Sequence, residues 1–294
     1  MPSARVPKPA DRRAYPGDVT EKLRVDLSGA PQTMLATLYA KALDADLPNS
    51  VLHDTWARDV LARIDYDWSQ TSITPRNSPS VTLRSAHFDS WTRQFLAVHP
   101  RATVLHLGCG LDSRYFRIDP GPDVEWFDVD YPDVAELRTR LYPERAHHHV
   151  VATSVTDPGY LADVTADRPT LVLGEGLTMY LEADDGLDLL RRVVNRFPSG
   201  ELQFDAFNRL GIRSQWMNAV VRRSGSTLHW GIDGPGDIRD AVSGTRLLAW
   251  VPVFESDAFS ALPGLYRVMA AAMNRVPALR TMAQFHRYAF GRPA

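Results

Sequence analysis

The sequence has little of three features that would assign a protein class at once. It holds a single cysteine, Cys109, in 294 residues, which excludes an internal disulfide framework and a zinc site built from several cysteines. No apolar run approaches the ~20 residues that a membrane-spanning helix needs. The N-terminus carries prolines and arginines but lacks the apolar segment of a secretory signal. These absences lead us to expect a soluble, cytoplasmic protein without a membrane partner.

The chain also lacks a large excess of positive or of negative charge. The formal net charge is -2, so no global basic field favours a nucleic-acid partner. The three adjacent histidines at 147–149 could suggest a metal, but neighbouring residues of a strand point to opposite faces, so we predict no metal site there. Apolar residues make up 44% of the chain, an ordinary value for a globular protein with one large domain.

A strand, a glycine turn and the start of a helix follow one another at VLHLGCGLDSR, residues 104–114. Gly108 and Gly110 allow the backbone N–H groups of the turn to approach a ligand closely. The next strand, VEWFDVD, ends at Asp130, which lies 20 positions after Gly110. An acidic residue at that distance typically accepts the two ribose hydroxyls of an adenine nucleoside. The pattern therefore predicts a nucleoside site.

The alternatives at this motif remain open on the residues alone. Ser113 stands where a dinucleotide fingerprint would have its third glycine, which disfavours an NAD-dependent oxidoreductase and suits a ligand without a pyrophosphate. S-adenosylmethionine is such a ligand. Asp130 could instead cap the helix that begins at Pro132. Asp128 points to the same side of the strand and is the fallback candidate for the ribose.

The chain before the first strand predicts a helical cap. Residues 1–19 are rich in Pro, Ala and Arg and are expected to form a flexible tail. Helical patterns follow at 20–46, 51–64 and 81–98. We group residues 20–100 as a cap on the core. The polar segment Ser69–Ser80 holds two prolines and is expected to be a loop that could act as a lid over the site.

Alternating strands and helices after residue 100 predict a parallel sheet covered on both faces. Strands are expected at 103–107, 124–130, 148–153, 171–176, 201–207 and 247–255, and helical segments at 132–141, 158–165, 183–197, 210–223, 257–262 and 264–274. A last strand at 285–291 is expected at the edge of the sheet, antiparallel to the rest. The fold class is thus α/β, a Rossmann-like, mostly parallel sheet of seven strands over 101–294, with a substrate-side insertion at about 208–245.

Three motifs in order resemble one enzyme family. LGCGLDSR, FDVDYPDV and GEGLTMYL are similar to the leucine carboxyl methyltransferase family, in its branch of TcmP-type polyketide O-methyltransferases. The similarity runs from about Leu38 to Phe207 and continues weakly to the C-terminus. It implies a class I methyltransferase that uses S-adenosylmethionine to methylate a carboxylate or phenolic hydroxyl of a small molecule. Methylation of a protein C-terminus and a non-catalytic, cofactor-binding protein are the alternatives.

The resemblance also implies roles for single residues in cofactor binding. Arg84 matches an arginine that pairs with the methionyl carboxylate, and Lys41 matches a more distant position that faces the cofactor. Glu175 matches an acid that faces the methionyl amine. Ser154 and Val155 follow the third strand and are expected beside the adenine. The family often has an aspartate in place of Ser154, and the nearby Asp157 could substitute for it.

The residues that handle the acceptor are harder to read. Tyr180 and His229 come after the fourth and fifth strands, beside the expected position of the methyl donor. We take them as catalytic candidates, with His229 as a base. A phenol would benefit from such a base, whereas a carboxylate acceptor needs none.

Overall fold

The computed structural model describes residues 22–25, 30–260, 268 and 271–291. The predicted tail at 1–19 and most of the helix predicted at 264–274 lie outside these residues. The helix predicted from Thr20 begins later than expected. Leu23–Arg24 forms a short strand, β1, which pairs in parallel with β2, Ile64–Asp65, and the helix itself covers Ala30–Ala45.

The central sheet has seven strands, as predicted. They are β3 (Ala102–Leu107), β4 (Val124–Asp130), β5 (His148–Ala152), β6 (Thr170–Gly174), β7 (Ser199–Phe207), β8 (Thr245–Pro252) and β9 (Ala283–Gly291). Their spatial order is β5-β4-β3-β6-β7-β9-β8. All six residues of β3 are buried, because helices cover both faces at the centre of the sheet.

The position predicted for the last strand is wrong. β9 is antiparallel to its neighbours, as expected, but it lies between β7 and β8 and is not at the edge. Its interior position explains its side chains. Phe285 and Tyr288 are fully buried and His286 is buried between them, which a strand paired on one side only would not require.

The helices fill the remaining layers. They are α1 (Ala30–Ala45), α2 (Thr55–Ala62), α3 (Pro79–Val98), α4 (Arg114–Ile118), α5 (Pro132–Leu141), α6 (Ala183–Arg196), α7 (Arg209–Arg213), α8 (Ala219–Ser224), α9 (Pro235–Ala241), α10 (Asp257–Ser260) and α11 (Pro277–Arg280). Short 3₁₀ turns cover Trp68–Thr71, Gly159–Asp163, Thr178–Tyr180, Gln215–Met217 and Val253–Glu255. No helix among these described residues is long and apolar enough to cross a bilayer.

The insertion differs from its prediction. The helix expected at 210–223 is divided into α7 and α8, because Asn218 accepts hydrogen bonds from the backbone of Val220 and Val221 and so starts a new helix. The loop expected at 224–244 contains α9, whose first residue is Pro235. Glycines on both sides of this proline concealed the helix in the sequence, although proline is tolerated in a first helical turn.

The first helix packs directly on the Rossmann-like core. Leu35 and Leu38 of α1 belong to the same buried cluster as Phe116 of α4 and Val134 and Leu141 of α5. Burial of this apolar surface stabilises the folded chain by about 25 cal/mol per Å² removed from water. The helices before β3 therefore share a hydrophobic core with the helices that follow it.

Candidate active site

The glycine turn after β3 has the geometry that the sequence predicted. Gly108 and Gly110 have φ angles of 60° and 51°, in the left-handed region where a side chain is strained. A Cβ atom on Gly108 would lie 3.0 Å from Leu177 Cδ1, and one on Gly110 would lie 3.0 Å from Met34 Cβ. A side chain at either position would be strained and would press on a neighbouring side chain, so the turn requires glycine at both.

Asp130, at the end of β4, holds this turn in place. Its Oδ2 accepts a hydrogen bond from the Gly110 N–H at 2.7 Å, and its Oδ1 accepts one from the Tyr131 N–H at 2.8 Å. Burial raises the pKa of Asp130 above its ordinary value, despite these two bonds. Asp130 is thus a partly compensated carboxylate at the end of a parallel strand, where α/β folds bind ligands.

A cavity of about 560 Å³ lies at this end of the sheet. Its size falls within the range of roughly 300–1,000 Å³ that is typical of ligand pockets. Most of the predicted site residues line it: Lys41, Arg84, Gly108, Gly110, Asp130, Val155, Glu175 and Tyr180. Residues 30–98, which precede the sheet, contribute to its wall together with the turn and with α8.

Glu175 lines the cavity but is already surrounded by donors. Its Oε1 accepts hydrogen bonds from Arg84 Nε at 3.0 Å and from Ser85 Oγ at 2.7 Å, while Arg114 pairs with its Oε2. Burial alone would raise the pKa of Glu175, but Arg114 and Lys41 hold it far below its usual value. This carboxylate is therefore ionised and fully compensated within the protein.

Asp205 of β7 also lines the cavity, and the sequence analysis missed it. Its Oδ1 accepts from the Gly176 N–H at 2.6 Å, and Arg84 Nη1 lies 3.3 Å from its Oδ2. Burial raises the pKa of Asp205 above its ordinary value. A signal did exist: an aspartate inside the apolar strand ELQFDAF is rare without a partner or a function.

A network of buried charges lies beneath the cavity. Asp112 pairs with Lys41 at 2.9 Å and with Arg117 at 2.9 Å. Asp89 pairs with Arg114 at 2.8 Å and with Arg117 at 2.7 Å. Removing one member of such a network leaves an uncompensated buried charge, which typically costs about 3–5 kcal/mol. Lys41 therefore reaches the cavity with its charge already balanced by Asp112.

Asp128, the fallback candidate for the ribose, is placed elsewhere. It is completely buried, pairs with Arg138, and accepts a hydrogen bond from Trp126 Nε1 at 2.9 Å. His106 and His148 lie within 2.9 and 2.7 Å of its oxygens. Because these partners occupy both oxygens and Asp128 does not line the cavity, the geometry favours Asp130 over Asp128.

Two further candidates do not reach the cavity. The His229 Nδ1 atom lies 2.8 Å from Glu182 Oε1, in a partly exposed pair outside the cavity wall. The backbone N–H of His229 donates a hydrogen bond to the Met179 carbonyl at 2.8 Å. Ser154 shares a hydrogen bond with Thr156 at 2.8 Å, and Val155 faces the cavity in its place. His229 and Ser154 are therefore not among the residues that line the cavity.

Apolar side chains from the segment 69–80, from α3 and α8, and from the ends of β7 and β8 also line the cavity, and we call them the acceptor side. They are Ile73, Val81, Phe207, Val220 and Phe254. Ser72 also lines the cavity, and its buried Oγ has no hydrogen-bond partner among the described residues. Burial raises the pKa of Tyr180, so its hydroxyl stays protonated and can donate a hydrogen bond.

Comparisons with known proteins agree with this arrangement. The model of the leucine carboxyl methyltransferase family matches residues 33–194. The tetracenomycin polyketide synthesis O-methyltransferase TcmP of Streptomyces glaucescens is 42% identical over 266 residues, which cover 90% of this chain and 98% of that protein. The S-adenosyl-L-methionine-dependent methyltransferase dpfgK of Gibberella zeae is 36% identical over 251 residues, covering 78% of this chain and 84% of that protein.

A solved structure has the same fold. A proposed methyltransferase from Thermobifida fusca superposes with a TM-score of 0.60 at 16% identity, covering 90% of this chain and 96% of that one. The predicted Rossmann-like methyltransferase fold is confirmed by this similarity. The prediction of an S-adenosylmethionine-dependent O-methyltransferase is confirmed by the sequence relatives. With a family model matching more than half of its length and a relative of 42% identity, the chain belongs to the leucine carboxyl methyltransferase family.

Proposed function

We propose that this enzyme methylates an oxygen atom of a small, flat and largely apolar acceptor, such as a polyketide acid. The observation that carries the proposal is the composition of the cavity described above. Its glycine turn and Asp130 lie at the ends of β3 and β4, and Glu175 and Asp205 lie at β6 and β7. Its apolar side chains come from the segment 69–80, from α3 and α8, and from the ends of β7 and β8. TcmP, a protein of polyketide synthesis, is a relative over nearly its whole length.

The residues at the cavity fit S-adenosylmethionine. The turn at Gly108 and Gly110 leaves room for a close approach, and Asp130 offers a carboxylate to ribose hydroxyls. Arg84 presents a guanidinium to the methionyl carboxylate, for which its planar fork is suited. When bound, S-adenosylmethionine supplies a methyl group made electrophilic by the sulfonium. Val155 offers the adenine an apolar contact, since Ser154 is turned away.

A carboxylate is the acceptor group that this proposal favours. His229 lies outside the cavity, and a carboxylate is already ionised near neutral pH, so it needs no base. The Ser72 and Tyr180 hydroxyls can donate hydrogen bonds to the acceptor, and the acceptor side can pack against its rings. The main contribution of the protein is then to orient the acceptor and to exclude water.

The proposal also gives a role to the segment 69–80 and to the cap, which line the cavity. Ser72, Ile73 and Asn77 line the cavity, and the Arg223 guanidinium of α8 donates a hydrogen bond to the Ser69 carbonyl at 3.3 Å. We propose that this segment closes over bound ligands together with α8. A wall built from a cap, a lid segment and α8 suits a small molecule better than a protein C-terminus, which needs an open groove.

The proposal can be tested with purified protein and a panel of acceptors. Calorimetry compares S-adenosylhomocysteine with NADH, and mass spectrometry detects methyl transfer to aromatic carboxylic acids and to their methyl esters. We expect binding of S-adenosylhomocysteine only, and transfer to an acid but not to its ester. Transfer to a C-terminal peptide but to no small acid would favour the protein carboxyl methyltransferase. Cofactor binding without transfer to any acceptor would favour a non-catalytic protein.

A further inference from the structure

The hydroxyl groups that line the cavity differ in whether they already have a hydrogen-bond partner. The Thr37 hydroxyl donates to the Met34 carbonyl at 2.8 Å, and the Ser80 hydroxyl donates to the Asn77 carbonyl at 2.7 Å. The Ser72 Oγ atom is buried and has no partner among the described residues. None of the other buried side-chain atoms without a partner, in the part of the chain that the structure describes, belongs to a residue of the cavity wall. A ligand atom beside Ser72 would therefore satisfy a polar group that the protein itself leaves open.

The backbone of Ser72 is held in a conformation that serine rarely adopts. Its φ of 63° and ψ of 3° lie in the left-handed region, directly after the 3₁₀ turn Trp68–Thr71. The Asn77 Nδ2 atom donates to the Ser72 carbonyl at 2.9 Å, and the Asn77 Oδ1 atom accepts from the Thr74 N–H at 2.7 Å. Among the described non-glycine residues with a positive φ, Ser72 is the one that lines the cavity. Backbone strain of this kind is concentrated at ligand-binding sites.

The neighbours of Ser72 place it on the acceptor side. Ile73 belongs to a buried cluster with Ala40 of α1, and Val81 of α3 and Val220 of α8 pack against that cluster. Among the described residues, the cluster includes none from the glycine turn or the central sheet. An ionised group is costly among such apolar side chains unless it has a cationic partner, whereas a single hydroxyl satisfies a neutral oxygen. The surroundings of Ser72 therefore suit a neutral oxygen at the edge of an apolar ring.

We infer that Ser72 determines specificity by forming a hydrogen bond with a neutral oxygen substituent on the ring of the acceptor, such as a phenolic hydroxyl or a ring carbonyl. The inference rests on the proposed function and narrows its acceptor class from apolar acids to acids whose rings carry oxygen. A serine hydroxyl can donate to either substituent. The contact is separate from the carboxylate that receives the methyl group, so it contributes equally in the ground state and the transition state. Its loss should raise the Michaelis constant for the acceptor and leave kcat unchanged.

Calorimetry on the protein saturated with S-adenosylhomocysteine tests this inference. The probes are naphthalene carboxylic acid and a panel of its ring-hydroxylated derivatives, each of which adds one neutral oxygen. The proteins are the wild type, Ser72→Gly, Ser72→Ala and Ser80→Ala. Glycine adopts the φ of residue 72 without strain and alanine keeps the Cβ atom, so an effect common to both variants belongs to the hydroxyl. Ser80→Ala is the matched control, because Ser80 lines the same cavity with a hydroxyl that already has a partner.

We expect the wild type and Ser80→Ala to bind at least one hydroxylated acid about tenfold more tightly than the unsubstituted acid. Both Ser72 variants should bind these two acids with affinities within about twofold of each other. Steady-state kinetics with the preferred acid should show the loss in the Michaelis constant and not in kcat. Affinity for S-adenosylhomocysteine should be the same in all four proteins, because Ser72 contacts the acceptor.

Several results would overturn the inference. They are a wild type that prefers no hydroxylated acid, a preference that survives in either Ser72 variant, and an equal loss of affinity for substituted and unsubstituted acids. Weaker binding of S-adenosylhomocysteine by both Ser72 variants would also overturn it, since Ser72 would then belong to the cofactor site. A wild type that binds S-adenosylhomocysteine but neither binds nor methylates any of the acids would contradict the proposed function itself. That failure is distinguishable because it is seen without any variant.

Discussion

Replacing Asp130 should separate the role that the structure shows for its carboxylate from the role that we propose for it. Its Oδ2 anchors the glycine turn through the Gly110 N–H at 2.7 Å, and the carboxylate faces the cavity where we expect the ribose. Asp130→Asn keeps an oxygen for the Gly110 N–H but removes the charge. Asp130→Ala removes both. The two variants should therefore weaken ligand binding to different degrees.

The magnitude follows from the number of bonds lost. A hydrogen bond to a charged group contributes about 1.5–3 kcal/mol, which corresponds to roughly 10- to 100-fold in affinity. Asp130→Asn should lie near the lower end, because its amide still accepts from the turn. Asp130→Ala should lie near the upper end, because the turn also loses its anchor. Both values refer to S-adenosylhomocysteine measured by calorimetry near pH 7.5.

The pH dependence of the same binding provides a second readout. Burial raises the pKa of Asp130, so its carboxylate takes up a proton at a higher pH than an exposed aspartate would. Affinity for S-adenosylhomocysteine should therefore fall as the pH is lowered, and Asp130→Asn should lose this part of the pH dependence. Asp133→Ala is the matched control, since Asp133 is an exposed acid in the first turn of α5. If Asp130→Ala binds as tightly as Asp133→Ala, the ribose assignment is wrong.

Three further predictions concern Arg84, the segment 69–80 and His286. Arg84→Lys should raise the Michaelis constant for S-adenosylmethionine about tenfold, because lysine lacks the planar fork; steady-state kinetics that show no change would remove Arg84 from the site. Limited proteolysis should cut within 69–80 less readily when S-adenosylhomocysteine is present, and equal cleavage would contradict a lid. Burial lowers the pKa of His286 from 6.5 to about 3, so its contribution to stability is complete above pH 6.5 and is lost as the pH falls toward 3. Between pH 7.5 and 5, urea unfolding of the wild type should lose about 2 kcal/mol more than that of His286→Gln, whereas the exposed control His53→Gln should follow the wild type.

Local sequence signals were sufficient for the framework of the fold. The predicted bounds 124–130 and 132–141 coincide with β4 and α5, because a proline in the first turn of the helix marks the boundary between them. The turn at Gly108 and Gly110 was equally clear, since both residues adopt φ angles that favour glycine. Such features depend on a few consecutive residues and can therefore be predicted from the local sequence.

Contacts between distant parts of the chain could not be predicted from such local signals. The position of β9 between β7 and β8 depends on two sets of backbone hydrogen bonds that no local pattern encodes. The surroundings of Glu175 could not be predicted locally either, because its hydrogen-bond and ion-pair partners come from α3 and α4. His229 was chosen because it follows the strands beside the expected methyl donor, but it contacts the Met179 carbonyl and Glu182 and is not among the cavity-lining residues.

The charges around the cavity also connect the cap to the sheet. Arg84 of α3 reaches Glu175 at the end of β6, and Lys41 of α1 reaches Asp112 after β3. Each pair joins a residue of the proposed cap to a residue of the proposed core, and each is largely removed from solvent. A carboxylate left behind by the loss of the cap would remain buried in the cavity wall without its cation, at a cost of several kcal/mol. We therefore expect the cap to fold with the sheet and to bind the cofactor as part of one site, although the two were distinguished in the sequence by their different periodicity.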